Sequence, residues 1–319
     1  MMSDIILRTE NLKKFYPTAS GKPYEAVKDI SIAIKRGEIY GFLGPNGAGK
    51  STTINMLTTQ LQSTSGEIFV DGESLTKNPA AARFKIGVVA QHNNLDRGLT
   101  ARENLIYHAR YFGMDEETAN NRADELLERF GLADRQNDYV ASYSGGMAQR
   151  LKIARAIMHD PEIIFLDEPT TGLDPAYREI LWEQMLELNR QGTTIFLTTH
   201  YMEEPEQLAD TVAIVSQGEI KAIDTVENLK KMMPSNKIVY IQLSELKDEY
   251  ANQASELPGI HHTDIQDGIL QLYPEHEEPD LNAILNWVNQ LDTQLEDIRL
   301  SSTSLNDVFI YLTEDKEAK

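Results

Sequence analysis

Residues 44–52 read GPNGAGKST, directly after the apolar run EIYGFL at 38–43 and before a segment, Lys50 to Thr59, that is helical in pattern. The pattern G-x-x-x-x-G-K-[ST] between a buried strand and a helix constrains the chain more than anything else in it. Glycines let the main chain come close to a phosphate with its N–H groups turned inward. The helix N-terminus adds a favourable dipole. The loop Gly44, Pro45, Asn46, Gly47, Ala48 and Gly49 is therefore expected to cradle phosphates. Lys50 can reach the β- and γ-phosphates, Ser51 can give its hydroxyl to Mg²⁺, and Thr52 can contact a more internal phosphate.

The first 230 residues alternate strand-like apolar runs with amphipathic stretches, which predicts a parallel sheet with helical crossovers. Further buried strands are expected at 86–90 (IGVVA), 163–166 (IIFL), 194–198 (TIFLT) and 212–215 (VAIV). Gln217-Gly218 reads as a hairpin turn into Glu219–Ala222. Residues of about 95–160 are helical in period, with Gly113 and Gly131 where helices should stop, so a helical subdomain inserted in the core is expected. A boundary falls near 232–236. Beyond it the order reads strand 237–243, helix 244–254, strands 260–266 and 269–273 with an Asp267-Gly268 turn, helix 280–291 and strand 297–302. That β-α-β-β-α-β order is ferredoxin-like. A last helix starts near Ser304, where Ser304 and Asp307 match a capping pattern.

Residues 163–168 read IIFLDE. Four apolar residues bury the strand and deliver two carboxylates at its carboxyl end, where α/β sheets place ligands. Asp167 is expected to bind Mg²⁺ and Glu168 to orient and polarise an attacking water. The chain has 319 residues, no cysteine and a net charge of −20. Disulfides, thiolate zinc sites and iron–sulfur clusters are thereby excluded, and no nucleic-acid partner is expected of so acidic a chain. Residues 237–319 hold 5 Lys or Arg against 17 Asp or Glu, read as solvated acidic helices. No apolar run is long enough to span a bilayer, and no signal peptide is read at the start, so a cytoplasmic chain is expected. His261-His262 lack metal-ligand spacing and are read as surface.

YSGGM at 143–147, followed by AQRLKIARAI, resembles the signature loop and helix of the ATP-binding subunits of ABC transporters. The resemblance covers about residues 3–230. It implies an α/β P-loop NTPase core with a helical signature subdomain at about 95–160, joined to the small α+β domain at 237–319, and it implies ATP and Mg²⁺ as ligand and cofactor. By the same resemblance, Ser144, Gly145 and Gly146 act in trans, over the γ-phosphate held by a second subunit in a homodimer or a pseudo-symmetric heterodimer. Tyr16, with Phe15 as runner-up, matches the aromatic that stacks on adenine. Gln91 matches the glutamine that touches Mg²⁺ and links to a transmembrane permease subunit. Asp174, in TGLD, matches the loop crossing the dimer interface, and His200 matches the switch histidine near the γ-phosphate. The usual Leu of the signature is Tyr143 here and the usual final Gln is Met147. Pro205 stands where the family is helical, and is expected in a first helical turn.

The segment QHNNLDRGLTARENLIYHARYFGM and the tail SSTSLNDVFIYLTEDK resemble subunits of the ABC-2 exporter type, peripheral on the inner face of the cell membrane. A soluble ABC ATPase acting on ribosomes or DNA is the alternative. Against it stand the single such domain, the acidic charge, the absence of cysteine, and only 53 positions between Gln91 and Ser144. A module that binds ATP without turnover is disfavoured by intact Glu168 and His200.

Overall fold

The computed structural model describes residues 4–314 except Ser20, Asn93, Asp267, Glu277 and Glu278, with the side chain of Glu314 also left aside. The described residues form two compact units that divide between Ile223 and Asp224.

In the first unit, Ile39–Leu43, Ile163–Asp167 and Thr194–Thr199 are buried along their whole length. Strands covered on both faces read as unbroken apolar runs, as these do. Ile86–Val89, Ile163–Asp167, Thr194–Thr199, Ile39–Leu43 and Thr211–Ser216 lie side by side in that order and in parallel. Register then does the positioning: Leu43 pairs with Thr199, Asp167 with Thr198, and Val89 with Leu166. The loops that begin at Gly44, Glu168, His200 and Ala90 therefore leave the sheet at one level. Phe196 ties three of these strands, with its ring 5.9 Å from Tyr40 and 5.5 Å from both Phe42 and Phe165. Each such pair is worth about 1 kcal/mol beyond its burial.

Thr211–Ser216 and Glu219–Asp224 are neighbours, joined through Gln217 and Gly218 with φ of 52° and 77°. The helices Ala101–Tyr111, Glu116–Arg129 and Gly145–Ala156 share one apolar core. Gly113 and Gly131 follow the first two with φ of 83° and 62°, which stops each helix. Thr100 and Glu103 complete a capping box at the first.

The parallel pattern does not extend over the whole unit. Ile5–Tyr16 pairs antiparallel with Tyr24–Ile30, Ala33–Lys35 and Ser65–Val70, adding an antiparallel wing to an 11-stranded sheet. Its alternation is broken by shifts of register on both edges and by Asn11 at φ 48°.

In the second unit, Lys237–Leu243, Ile260–Gln266, Ile269–Pro274 and Leu295–Ser302 form an antiparallel sheet. Numbered along the chain its order is 2-3-1-4, the ferredoxin-like arrangement. Helices Asp248–Ser255 and Leu281–Val288 complete the motif. The first starts later than position 244, because the Ser244 and Glu245 amides bond to Gln294 and Thr293 instead. The short helix Val226–Lys230 belongs to this unit and meets the terminal helix Leu305–Glu314. Ser304 and Asp307 cap the latter reciprocally. Of the Asp267-Gly268 turn, Asp267 lies outside the described residues, and Gly268 has φ 77°.

Candidate functional site

The phosphate loop is pinned by its neighbours. A Cβ on Gly44 would stand 2.3 Å from the Val215 carbonyl oxygen, and one on Gly49 2.5 Å from that of Ala26. Gly49 also has φ 102°, so only glycine fits there without strain. Asn46, Gly47, Gly49, Lys50, Ser51 and Thr52 line an open cleft of ≈ 300 Å³ together with Tyr16, Tyr24, Ala26, Gln91 and Glu168. Pro45 and Ala48 shape the loop from behind: the Ala48 amide donates to the Pro45 carbonyl, and the Ala48 carbonyl accepts from the Gly218 amide.

Lys50 is 4% exposed. Its ammonium donates to the carbonyls of Gly44 at 2.8 Å and Pro45 at 3.1 Å, and stands 3.5 Å from a Glu168 carboxylate oxygen. Glu168 is the hub. It accepts from the Gln91 side-chain amide at 3.0 Å and the Thr171 hydroxyl at 3.3 Å, and His200 Nδ1 lies 3.2 Å away without hydrogen-bond alignment. Its φ of 47° turns the chain sharply where the strand ends. A non-glycine residue held there costs about 1–3 kcal/mol, and such strain gathers at working sites. Thr198 fixes the turn, since its carbonyl and hydroxyl both accept from the Glu168 amide while its hydroxyl donates to Asp167 at 2.6 Å. Burial holds the Asp167 carboxyl above the usual carboxylate range, against the Thr198 hydrogen bond and with help from the Glu168 charge.

Ser144, Gly145, Gly146 and Asp174 are not part of this cleft. Ser144 and Asp174 are exposed N-caps of the helices Gly145–Ala156 and Pro175–Arg190, accepting from the Met147 and Tyr177 amides. Gly146 faces the Tyr177 ring, so these two helix starts adjoin each other. Met147 and Tyr143 pack against the helical core. Tyr16 lines the cleft, with the Lys14 ammonium 5.3 Å from its ring centre, whereas Phe15 does not line it.

Sequence reasoning missed Tyr24, Thr198, Lys152 and Glu204. Tyr24 is the cross-strand partner of Tyr16 and brings a second aromatic ring to the cleft. Lys152, 5% exposed, donates to the Ala90 carbonyl at 2.9 Å, and burial pulls its pKa down to about 8. Glu204 is 1% exposed, in the helix Glu203–Leu208 whose first turn also holds Pro205, and accepts from the Thr170 hydroxyl. Burial pushes the Glu204 carboxyl up to about 7 from 4.5, against the pull of Thr199, Arg178 and Trp182.

That shift fixes a sign. The folded pKa is the raised one, so the stability this carboxyl contributes is whole below pH 4.5 and lost as pH rises through about 7. The full loss is at most about 3 kcal/mol. Glu204→Gln keeps an acceptor for Thr170 and cannot ionise. Relative to wild type, its melting temperature should rise between pH 5 and pH 8 by on the order of 5 °C. Scanning calorimetry at the two pH values checks this, and an unchanged difference counts against it.

A family model described as "ABC transporter" matches residues 27–171. The linearmycin resistance ATP-binding protein LnrL of Bacillus subtilis (strain 168) is 36% identical over 310 residues, 97% of this chain and 98% of the relative. The Nod factor export ATP-binding protein I of Burkholderia orbicola (strain AU 1054) is 45% identical over 192 residues, 60% of this chain and 63% of that protein. Among solved structures, a dimeric ATP-binding cassette in a post-hydrolysis state, bound to ADP and phosphate, overlays with a TM-score of 0.64 at 30% identity, covering 69% of this chain and 98% of that one. A phosphate loop level with a strained carboxylate on a parallel sheet defines a P-loop nucleotide hydrolase. Within that class the chain belongs to the ATP-binding proteins of ABC transporters: it binds ATP and hydrolyses it.

Proposed function

We propose that this chain powers a membrane exporter, whose cargo is a drug-like, lipid, polysaccharide or ionic compound, through a separate transmembrane permease subunit. The observation that carries the reading is the Lys50–Glu168–Gln91–His200 cluster at the mouth of the phosphate loop. Relatives named for linearmycin resistance and Nod factor export support the export direction. Among the described residues no helix is long and apolar enough to cross a membrane. In this reading the chain acts at the inner face of the membrane, through a partner that spans it.

In this reading the loop amides and Lys50 hold the β- and γ-phosphates, Thr52 meets a more internal one, and Tyr16 stacks on adenine. Glu168 accepts the proton of the attacking water and aligns it, and His200 faces the γ-phosphate from the adjacent strand. Ser51, Asp167 and Gln91 fit a Mg²⁺ ion: their hydroxyl, carboxylate and amide oxygens are hard donors, and the buried Asp167–Glu168 pair crowds negative charge that a cation would relieve. Bound there, Mg²⁺ would neutralise charge on the phosphates. Ser144, Gly145 and Gly146 act on the ATP of a second subunit, and Asp174 lies in the contact between the two. The exposure of Ser144, Gly145 and Asp174 at adjoining helix starts, away from the chain's own cleft, supports action in trans. A helix N-terminus with glycine backbone suits a terminal phosphate.

The test is affinity capture of the intact chain from detergent-solubilised membranes of its native cell, with mass spectrometry of what is retained. A polytopic membrane protein in stoichiometric amount is expected. Recovery of the ATPase without any such partner overturns the exporter assignment.

A further inference from the structure

The helix that starts at Ser144 carries a buried and a half-buried cation one turn apart, Lys152 and Arg155, and both reach the segment that holds Gln91. Lys152 Nζ donates to the Ala90 carbonyl at 2.9 Å and lies 3.5 Å from that of Gln91, and Arg155 donates to the Asn94 carbonyl at 2.8 Å. Burial depresses the pKa of each, and among the described residues no carboxylate is one of the groups that perturb either. An ammonium placed there without a counter-ion is costly to desolvate. A neutral donor or a water would satisfy strand-end carbonyls at lower cost. What the long cationic side chain adds is reach between separate elements. The Gln91 amide in turn donates to Glu168 at 3.0 Å. One chain of contacts therefore runs from the helix capped by Ser144, through Lys152 and the Ala90–Gln91 backbone, to Glu168.

We propose that Lys152 is a positioning residue that ties the Ser144 helix to Gln91, so that the seating of this helix on a neighbouring subunit sets the alignment of Glu168 in its own cleft. A tilt of the helix moves the ammonium, the Ala90 and Gln91 carbonyls follow it, and the Gln91 side chain leaves or regains the carboxylate. Neither the phosphates nor the water is touched by Lys152 itself. The inference rests on the hydrolytic reading of Glu168.

The experiment is a double-mutant cycle on the full chain, in steady-state ATP hydrolysis. Lys152→Met keeps the volume and removes the donor, and because no carboxylate pairs with Lys152 among the described residues the change strands no buried counter-charge. It is expected to lower kcat about 10-fold with the KM for ATP within about 2-fold. Combined with Gln91→Ala it should add nothing to the loss caused by Gln91→Ala alone, because both act along one path. Wild-type kcat in Lys152→Met, losses that multiply in the double variant, or a changed KM with unchanged kcat would each overturn the proposal. Should Lys152→Met fail to fold, Lys152→Gln is read in the same cycle by the same criteria. Glu168→Gln, run alongside, separates the two levels: its turnover reports on the hydrolytic reading, and the cycle reports on Lys152.

Discussion

Glu168→Gln should lower kcat for ATP hydrolysis by about 10²- to 10³-fold, which is about 3–4 kcal/mol of barrier. The size follows from what the substitution removes. A positioned general base contributes typically about 10²- to 10⁴-fold, and the glutamine amide cannot take the proton. The rest of the site is spared: the side chain keeps its shape, and its oxygen can still accept from Gln91 and Thr171, as the carboxylate does. ATP affinity should stay within about 3-fold or tighten, because a negative charge 3.5 Å from Lys50 is gone from beside the phosphates. Bound ATP that is not hydrolysed should also hold two subunits together. Turnover by phosphate release, affinity by calorimetry and mass by light scattering with and without ATP read the three quantities. Turnover within about 3-fold of wild type would remove Glu168 from the water-activating role.

What the sequence made legible is what is encoded locally. GPNGAGKST forms a cradle because its own glycines and the adjacent strand and helix suffice, and IIFLDE delivers its carboxylates because the strand is apolar on both faces. The tail could be read as ferredoxin-like from periodicity and turns alone, and its sheet order agrees. The hidden parts depend on partners far along the chain. Thr198 meets Asp167 across 31 residues, Glu204 meets Thr170 across 34, and Lys152 meets Ala90 across 62. In sequence each is an ordinary polar residue in a strand or helix, and only the packing of distant segments brings it to its partner. The antiparallel wing was illegible for a different reason. Ile5–Tyr16 changes partners along its length, and its bulges erase the period-2 signal that marks a half-buried strand.

Lys50→Ala should weaken ATP binding by about 30- to 1,000-fold and abolish measurable turnover. Among the described residues that line the cleft, Lys50 is the only cationic side chain. A triphosphate brought there meets that one ammonium, the loop amides and the carboxylate of Glu168. Truncating one partner of a buried, hydrogen-bonded charge pair costs about 2–4 kcal/mol, which is the stated range in Kd. Two effects add in this variant: the phosphates lose their cation, and Glu168 loses the one it faces at 3.5 Å, so repulsion between carboxylate and phosphate goes uncompensated. The second effect can be isolated. In a Glu168→Gln background the carboxylate charge is absent, so Lys50→Ala should cost less there than in the wild type, and calorimetry on the four proteins measures the difference. Equal losses in the two backgrounds would mean that Lys50 serves the phosphates alone. A Lys50→Ala protein that binds ATP as wild type does would mean that the loop amides hold the nucleotide without it, and the assignment of Lys50 to the β- and γ-phosphates would fall.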